Sequence, residues 1–409
     1  MTANWKVKPL GEVCAIARGG SPRPIQAFLT DADDGINWIK ISDATASGKY
    51  IYSTAEKIKP AGAARSRVVN DGDFLLSNSM SFGRPYIMRT NGCIHDGWLV
   101  LSKYEDSFDQ DFLYHLLGSP QVFGQFDRLA AGSTVRNLNI DLASRVVVPI
   151  PPPSEQRRMV AILDDAFEAI ATAKANAEKN LQNARELFQT YLAATFSQDG
   201  EVVQLLKCAI DISDGDHAPP PKSPTGVPFI TISNVDKETR RIDFSDTFTV
   251  SREYFQALKP HRKPRRGDVL YTVTGSFGIP VLVEDDGEFC FQRHIGLIRP
   301  APDVDSRWLM YALLSPQVRA QAEAGATGTA QRTVSLGVLR GMSIPKVGVE
   351  DQRRIAAKVD ALSDSVARLK DISRAKSAAL DELKKSLLHQ AFTGRLAAKS
   401  TDKRVAEVA

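Results

Sequence analysis

The chain has 409 residues, of which 43% are hydrophobic and 24% charged, so it is long enough for two or more domains that each bury a core. Its net charge of +4, from 52 basic and 48 acidic residues, permits nucleic-acid binding without requiring it. The four cysteines include no CxxC pair, which argues against a disulfide scaffold or a zinc ribbon. Because there is no apolar signal segment and no run approaching the ~18 apolar residues of a membrane span, we expect a cytoplasmic protein with no membrane partner.

Residues 1–150 are predicted to form a mixed α/β globule. Trp38–Asp43 alternates as a strand does, and Asp71–Asp73 is a turn that leads into a buried strand. Asp111–Leu117 has the pattern of a short amphipathic helix, and Val146–Ile150 that of a final strand.

Residues 151–198 are predicted to form one long helix. Pro151–Pro153 cannot continue an earlier helix, Ser154 can cap the next one, and no Pro or Gly follows before Gly200. At 1.5 Å per residue this helix is roughly 65 Å long, so it needs another long helix beside it. Its apolar residues recur at alternating four- and three-residue steps, interrupted once by Lys174, and form a seam of Leu163, Phe167, Ile170, Ala177, Leu181, Ala184, Phe188 and Tyr191.

Residues 199–345 repeat the first globule. Gly267-Asp268 matches Gly72-Asp73 at a separation of 195 residues, and Ser276-Phe277-Gly278 matches Ser81-Phe82-Gly83 at the same separation. Further matches are the predicted strand Phe229–Asn234, the helix Trp308–Leu314, the last strand Met342–Pro345 and the cysteine pairs Cys14/Cys208 and Cys93/Cys290, which we interpret as core residues. Residues 43–67 and 234–262 diverge strongly, as expected for one scaffold that carries two different surfaces.

Residues 346–398 are predicted to form the partner helix, and 399–409 a polar, disordered tail. The helix opens with Asp351–Arg354, which matches Glu155–Arg158 at 196 residues, and Phe392 follows Phe196 by the same interval. Its seam is Ile355, Val359, Leu362, Val366, Leu369, Leu380, Leu383 and Leu387. The predicted fold class is therefore α+β: two duplicated mixed α/β globules separated by two long helices that pair as an antiparallel coiled coil, a pseudo-two-fold internal repeat.

A catalytic site is not predicted. The sequence has no GxxxxGK[ST] loop, no GxGxxG after a strand and no HExxH or paired-cysteine metal site. His95-Asp96 and Ser81 supply the residue types of a triad, but no pattern places a nucleophile on an elbow. We expect no cofactor or metal on this chain.

Side chains suited to DNA line the predicted loops and strand ends. Lys259–Arg266 is a basic run that can meet phosphates, and Arg and Asn side chains can read guanine and adenine in the major groove. The candidates in the first globule are Lys40, Ser42, Asn78, Ser79, Ser81, Arg84, Arg136, Asn137 and Asn139. Those in the second are Thr231, Ser233, Asn234, Arg262, Lys263, Arg265, Arg266, Thr274, Ser276 and Arg332.

The chain resembles the specificity (S) subunit of type I restriction-modification systems over nearly its whole length. The blocks that carry the resemblance are Pro149–Gln156 at the entry to the first helix, Ile344-Pro345 with Glu350–Arg354 at the second, and the terminal Leu387–Leu396. Two departures are the loss of the second proline cluster, where only Pro345 remains, and Gly328–Gln331, which lacks counterparts of Asn137 and Asn139.

The resemblance implies that each globule is a target recognition domain that reads one half of an interrupted DNA site. It also implies that the paired helices set the spacing and dock two adenine methyltransferase (M) subunits, which carry S-adenosylmethionine, and that two restriction (R) subunits can join. The chain itself is then non-catalytic. Two alternatives stay open: a coiled-coil protein that bridges partners without reading DNA, and a self-contained DNA-modifying enzyme.

Overall fold

A computed structural model describes residues 5–79, 82–130, 137–217, 220–329 and 331–398. The chain forms two compact units: the first contains the residues up to 176 together with those from 375 onward, and the second contains 177–374. None of the helices in the described ranges combines the length and the apolar composition that crossing a membrane would require. The predicted tail, 399–409, lies outside the described residues.

Twelve strands and five short helices precede the first long helix in the described part of the chain. The strands are β1 (Lys6–Pro9), β2 (Ala15–Arg18), β3 (Leu29–Thr30), β4 (Ile36–Ile39), β5 (Tyr50–Ile51), β6 (Glu56–Ile58), β7 (Arg67–Val69), β8 (Phe74–Ser77), β9 (Pro85–Met88), β10 (Gly92–Ile94), β11 (Trp98–Ser102) and β12 (Val147–Ile150). The helices are α1 (Ile41–Ser47), α2 (Pro60–Ala63), α3 (Gln110–Leu117), α4 (Pro120–Ala130) and α5 (Ile140–Ser144).

The first long helix is α6 (Pro153–Thr195), and the elements that follow it repeat the same plan. The strands are β13 (Val202–Gln204), β14 (Ala209–Asp214), β15 (Val227–Ile230), β16 (Phe248–Val250), β17 (Val269–Thr272), β18 (Pro280–Leu282), β19 (Cys290–Phe291), β20 (Ile295–Pro300) and β21 (Ser343–Pro345). The helices are α7 (Arg252–Ala257), α8 (Ser306–Leu314), α9 (Pro316–Gly325), α10 (Leu336–Gly341), the second long helix α11 (Val349–Phe392) and α12 (Arg395–Ala398).

The sheets confirm the internal repeat. The order β2-β11-β8-β9 in the first unit corresponds to β14-β20-β17-β18 in the second, and the strand pairs β1-β12 and β13-β21 correspond as well. In each unit a second sheet contains one parallel pair, with Cys93 opposite Trp38 and Cys290 opposite Phe229. All four cysteines are buried free thiols, as predicted for core residues.

Each globule packs its core against one end of each long helix. In the first unit, Leu163 of α6 and Phe392 of α11 join the cluster built on Phe74 and Phe112. In the second unit, Phe188 and Leu192 of α6 join Val359 of α11. The start of α6 therefore pairs with the end of α11, and the end of α6 pairs with the start of α11. This is the predicted antiparallel arrangement.

Among the residues of the predicted seam, Leu383 alone is exposed. The seam's other core members are buried or half-buried, namely Leu163, Phe167, Ile170, Leu181, Phe188, Val359, Leu362, Val366, Leu369, Leu380 and Leu387. Leu383 is 47% exposed, whereas Leu388 is only 8% exposed. A helix of 3.6 residues per turn drifts relative to a strict seven-residue repeat, so the buried face moves on to Leu388.

Two strands are shorter than the sequence predicts because capping side chains end them. The pattern of Trp38–Asp43 predicts one strand, but the Asp43 carboxylate accepts a hydrogen bond from the Lys40 N–H at 2.8 Å and helix α1 starts at Ile41. In the second unit Asn234 Oδ1 accepts from the Thr231 N–H at 2.9 Å, so a 3-10 turn follows β15. Helix α6 starts at Pro153, one residue before the predicted cap Ser154, and proline fits the first helical turn.

Candidate nucleic-acid interface

The turn between β10 and β11, residues His95–Gly97, is the point where the loops of the first globule meet. The Asn78 side chain donates to the Asp96 carbonyl at 3.0 Å, and the Asn78 N–H donates to the Gly97 carbonyl at 2.9 Å. Ser21 Oγ donates to the Asp96 carboxylate at 2.6 Å. The Leu138 N–H donates to the Asn78 carbonyl at 2.8 Å, so the segment after residue 136 joins the same cluster.

A cavity of about 1280 Å³ opens beside this turn. Apolar groups dominate its wall, and its polar groups come from segments far apart in the sequence; its lining includes Arg23, Ile25, Trp38, Lys40, Ser42 and His95. Pockets with an apolar wall and a few convergent polar groups are the usual form of a binding site.

Two polar groups of this cavity, His95 and Asp96, have pKa values below their ordinary values. Burial lowers the pKa of His95, and its Nδ1 accepts from the Gly97 N–H at 2.8 Å, so neutral His95 carries its hydrogen on Nε2 and can donate it. The Ser21 hydrogen bond, a backbone hydrogen bond and then the charge of Arg23 lower the pKa of Asp96, which is therefore an ionised acceptor. An ionised carboxylate can accept from the cytosine amino group in the major groove.

The structure brings some of the predicted residues of the first globule to this cavity. Lys40 and Ser42 line it, and Lys40 pairs with Glu56 at 2.6 Å. Ser79 is half-buried beside the His95–Gly97 turn. Asn78 is fully buried and holds that turn in place, so its side chain does not face solvent.

The remaining predicted residues of the first globule have other positions. Arg84 is exposed but lines a separate groove with Phe167 and Lys384. Asn139 caps α5 by accepting from the Leu142 N–H at 2.8 Å, and Asn137 is half-buried. Ser81 and Arg136 lie outside the described residues.

The second globule has a smaller cavity, of about 320 Å³, at the corresponding turn between β19 and β20. Arg293 and His294 occupy the places in the repeat that Asp96 and Gly97 occupy in the first globule. Arg293 is exposed and makes no ion pair among the residues that the structure describes. The cavity is also lined by Asp214, the predicted residue Thr274, Gln331 and Thr333.

The predicted basic run of the second globule divides into inward and outward members. Arg262 forms ion pairs with Asp216 at 3.3 Å and Asp214 at 3.5 Å. Lys263 donates to the Gln256 carbonyl at 2.9 Å. Arg265 and Arg266 are exposed, and within the described ranges neither makes an ion pair.

The other predicted residues of the second globule serve mainly local structure. Thr231 and Ser233 bond each other at 2.7 Å, and Asn234 is buried as a capping residue. Ser276 is exposed, and its carbonyl accepts from the Thr272 hydroxyl at 2.8 Å. Arg332 is exposed and pairs with Glu323 at 3.0 Å.

Sequence reasoning missed the residues that form the walls of these cavities. Arg23, Ile25 and Trp38 come together only through the fold, but Arg293 could have been found by aligning the repeats through Trp98 and Ile295. Across the described ranges, no three His, Cys, Asp or Glu side chains are placed to hold a metal ion.

Comparisons with known proteins find a family model that matches residues in the first half of the chain and relatives that match nearly all of it. Residues 2–182 match the family model of the type I restriction modification DNA specificity domain. The chain is 22% identical to the MjaVIII specificity subunit of Methanocaldococcus jannaschii, with 97% of this chain and 94% of that protein covered. It is also 22% identical to the EcoBI specificity subunit of Escherichia coli, over 89% of this chain and 81% of that one.

Two solved structures show the same fold. One, from a study of complex assembly and conformational transition of the type I restriction-modification system, has a TM-score of 0.76 and 23% identity over 97% of this chain and 99% of its own. The HsdS subunit of Thermoanaerobacter tengcongensis has a TM-score of 0.64 and 22% identity over 97% and 98%.

The fold consists of two duplicated globules, each packed against the two long helices, with a cavity at the corresponding turn of each globule. Residues 2–182 match the type I restriction modification DNA specificity domain, and nearly the whole chain is similar to specificity subunits of type I restriction enzymes. These similarities support a DNA sequence-specificity role without catalysis, and they do not favour the bridging and self-contained-enzyme alternatives.

Proposed function

We propose that residues 1–150 and 199–345 are target recognition domains that each read one half of a bipartite, interrupted DNA site. The observation that carries the proposal is the duplicated turn, which presents opposite chemistry in the two globules. Asp96 is a hydrogen-bond acceptor in the first, and Arg293 is a donor in the second. Two readers with different side chains on one scaffold suit an asymmetric site.

The base contacts follow from hydrogen-bonding chemistry. Arg293 can donate two hydrogen bonds to guanine O6 and N7, while Asp96 can accept from cytosine N4. Lys40, Arg265 and Arg266 then serve as phosphate contacts, which position the duplex without reading its sequence. The other predicted side chains that reach solvent, such as Ser42 and Ser233, remain candidates for contacts on the same faces.

The long helices serve two further roles in this proposal. They set the distance between the half-sites, and they dock two M subunits that methylate adenine, with S-adenosylmethionine bound by those subunits and not by this chain. Two R subunits complete the restriction enzyme.

A methylome tests the proposal directly. The chain is expressed with the methyltransferase encoded beside it, and modified adenines are mapped genome-wide. We expect an interrupted two-part motif that is absent when the chain is omitted. Modification of the same continuous motif without this chain would overturn the proposal.

Two variants assign the half-sites. Asp96→Asn should change or relax the bases of one half, and Arg293→Gln those of the other, each with about 1–3 kcal/mol of lost discrimination. Ser107→Ala, on the same globule as Asp96 but away from the cavity, is the control. A change in both halves from one substitution would contradict the assignment of one globule to one half-site.

A further inference from the structure

A second cavity lies in the second compact unit, between the loop Lys237–Arg241 and the two long helices. Its volume is about 560 Å³. Basic residues outnumber acidic ones in its wall: Arg185, Lys237, Arg240, Arg241 and Lys370 against Glu238 and Asp364. The cavity is separate from the turn at Arg293 that we assign to base reading.

An ion-pair network fixes the loop to the helices. Glu238 pairs with Arg185 at 3.2 Å and with Lys370 at 2.5 Å. Asp236 accepts from the backbone N–H groups of Glu238 and Thr239, at 2.8 and 2.7 Å. The carboxylate of Glu238 is therefore already used by two cations, and three further basic side chains are left in the wall.

Arg240 is the most unusual of these three. Its φ of 54° is positive, in the region that favours glycine, and the fold nevertheless places a half-buried arginine there. Its guanidinium bonds the Ser363 hydroxyl at 3.4 Å and makes no ion pair with any carboxylate in the described ranges. Burial lowers the pKa of Arg240, as expected for a cation without a nearby counter-ion.

A partly buried cation without an anionic partner costs folding free energy. Lys237 and Arg241, on the same loop, are exposed and also lack an ion pair among the described residues. Arg240 with the Ser363 hydroxyl beside it, together with the two exposed cations that line the same cavity, offers the several donors that the oxygens of a phosphoryl group accept from.

The corresponding groove of the first unit has different chemistry. It lies in the same way between a globule and the helix pair, but Phe167 stands where the repeat has Ser363, and Tyr86 and Tyr114 line the wall. Lys384 in this groove lies over the Phe167 ring, 4.6 Å from its centroid. The cationic cavity is thus a feature of the second unit, acquired on a shared framework.

We propose that the cavity around Arg240 binds a phosphoryl group, through Arg240, Arg241, Lys237 and the Ser363 hydroxyl. This inference rests on the proposed function only where the phosphoryl group is a phosphate of the DNA backbone. A free phosphate compound offers the same oxygens. The cavity is therefore assigned to phosphoryl chemistry, and the experiment separates the two sources.

The test uses the full chain and two probes, inorganic pyrophosphate and a duplex that contains the mapped methylation motif. Two variants remove the cations. Arg240→Gln changes the half-buried arginine, and the double variant Lys237→Gln/Arg241→Gln changes the two exposed side chains. Arg368→Gln is the matched control, because Arg368 is exposed on α11 and likewise bonds a serine, Ser365, at 3.1 Å. Calorimetry measures pyrophosphate, and fluorescence anisotropy at several salt concentrations measures DNA.

If the phosphoryl group belongs to the DNA backbone, both variants should bind DNA about tenfold more weakly. The slope of log affinity against log salt concentration should also fall by about one for each phosphate contact that is lost. Loss of pyrophosphate binding with DNA affinity unchanged supports a free phosphate compound. If neither probe is affected, or if the variants lose only binding to an M subunit, the proposal is wrong. The methylation motif should be unchanged in every case, so an altered motif would count against the proposed function instead.

Discussion

The two globules differ at their site turns and share one glutamine contact with the long helices. Gln156 and Gln352 are 196 residues apart, and the side-chain oxygen of each accepts a hydrogen bond from the backbone N–H of a helix N-cap residue. Gln156 accepts from Asp109 at 2.8 Å, and Gln352 accepts from Asp305 at 2.7 Å. By contrast, the site turns carry Asp96 in one globule and Arg293 in the other. Divergence after duplication has therefore changed the site turns and left this glutamine contact intact.

The largest expected difference in stability between the two units comes from substitutions at the two Gly-Asp turns. Gly72 and Gly267 have φ values of 89° and 90°, so both turns have the same backbone. Asp268 is 2% exposed and binds Arg299 through both carboxylate oxygens, at 2.8 and 3.0 Å, whereas the Asp73 carboxylate accepts from the Asn70 N–H at 2.7 Å. Asp268→Ala should cost about 3 kcal/mol of unfolding free energy, because Arg299 is left unpaired, and Asp73→Ala about 1 kcal/mol.

Urea unfolding of the full chain measures both effects. Trp308 belongs to the second unit and Trp38 to the first, so single-tryptophan versions report each unit separately. Equal losses in the two variants would show that the Arg299 pair adds nothing to the turn.

The two buried glutamines should contribute equally to the stability of the two units. Gln156 is 1% exposed and also donates to the carbonyls of Ser107 and Pro151, at 2.8 and 2.9 Å. Gln352 is 4% exposed and donates to the Val347 carbonyl at 2.8 Å. Replacing either with alanine should cost about 2 kcal/mol, since buried backbone groups lose their partners.

The exposed Gln182→Ala serves as the control for this pair, and calorimetric unfolding gives the free energies. If one glutamine proved dispensable and the other did not, the two globules would not be held by the same device.

The pH dependence of stability should differ between the two units, with a smaller effect than the substitutions above. His115 of α3 bonds Asp164 of α6 at 2.7 Å, and its repeat counterpart Tyr311 bonds Asp360 at 2.5 Å. Burial lowers the pKa of His115 below its ordinary 6.5, with Asp164 opposing that shift. The unfolded chain therefore takes up the proton first as the pH falls, so this stability is present above about pH 6.5 and declines below it.

His115→Gln should remove that part of the decline between pH 7 and pH 5, by up to about 1 kcal/mol, while Tyr311→Phe should leave the pH profile unchanged. Because His95 and His294 also have lowered pKa values, the measurement is the difference between wild type and variant at each pH. A profile of His115→Gln identical to wild type would mean that His115 does not contribute to the decline.

The smallest effect is expected at an exposed ion pair. Lys174 interrupts the seam of α6 and pairs with Asp381 at 2.6 Å, and both side chains are substantially exposed. Pairs of this kind contribute little, because water and salt screen them. Lys174→Ala should leave the urea midpoint within experimental error, and a clear loss of stability would mean that this interruption helps to pair the helices.

Long periodic patterns made much of this architecture predictable from the sequence. The seam from Leu163 onward and the repeat spacing near 196 both extend over many residues, so single errors do not obscure them. Predictions failed at two local features. The Asp43 side chain ends a predicted strand by capping helix α1, and Leu383 points outward because the helix drifts from a seven-residue repeat.

The site was less predictable, because polar residue types do not reveal which way a side chain points. Asn78 and Asn234 have side chains suited to adenine, but the fold buries both and uses them to hold a turn and a cap. Trp38 and Ile25 have no sequence signature of a binding site and reach the cavity only through tertiary packing.

The four buried thiols give the molecule built-in reporters of local opening. Burial raises the pKa of Cys14 and Cys290 to about 12, so neither reacts with a thiol reagent while its core stays closed. Cys14 and Cys93 belong to the first unit, and Cys208 and Cys290 to the second. The rate at which each cysteine becomes labelled therefore measures how often its own unit opens, without any engineered probe.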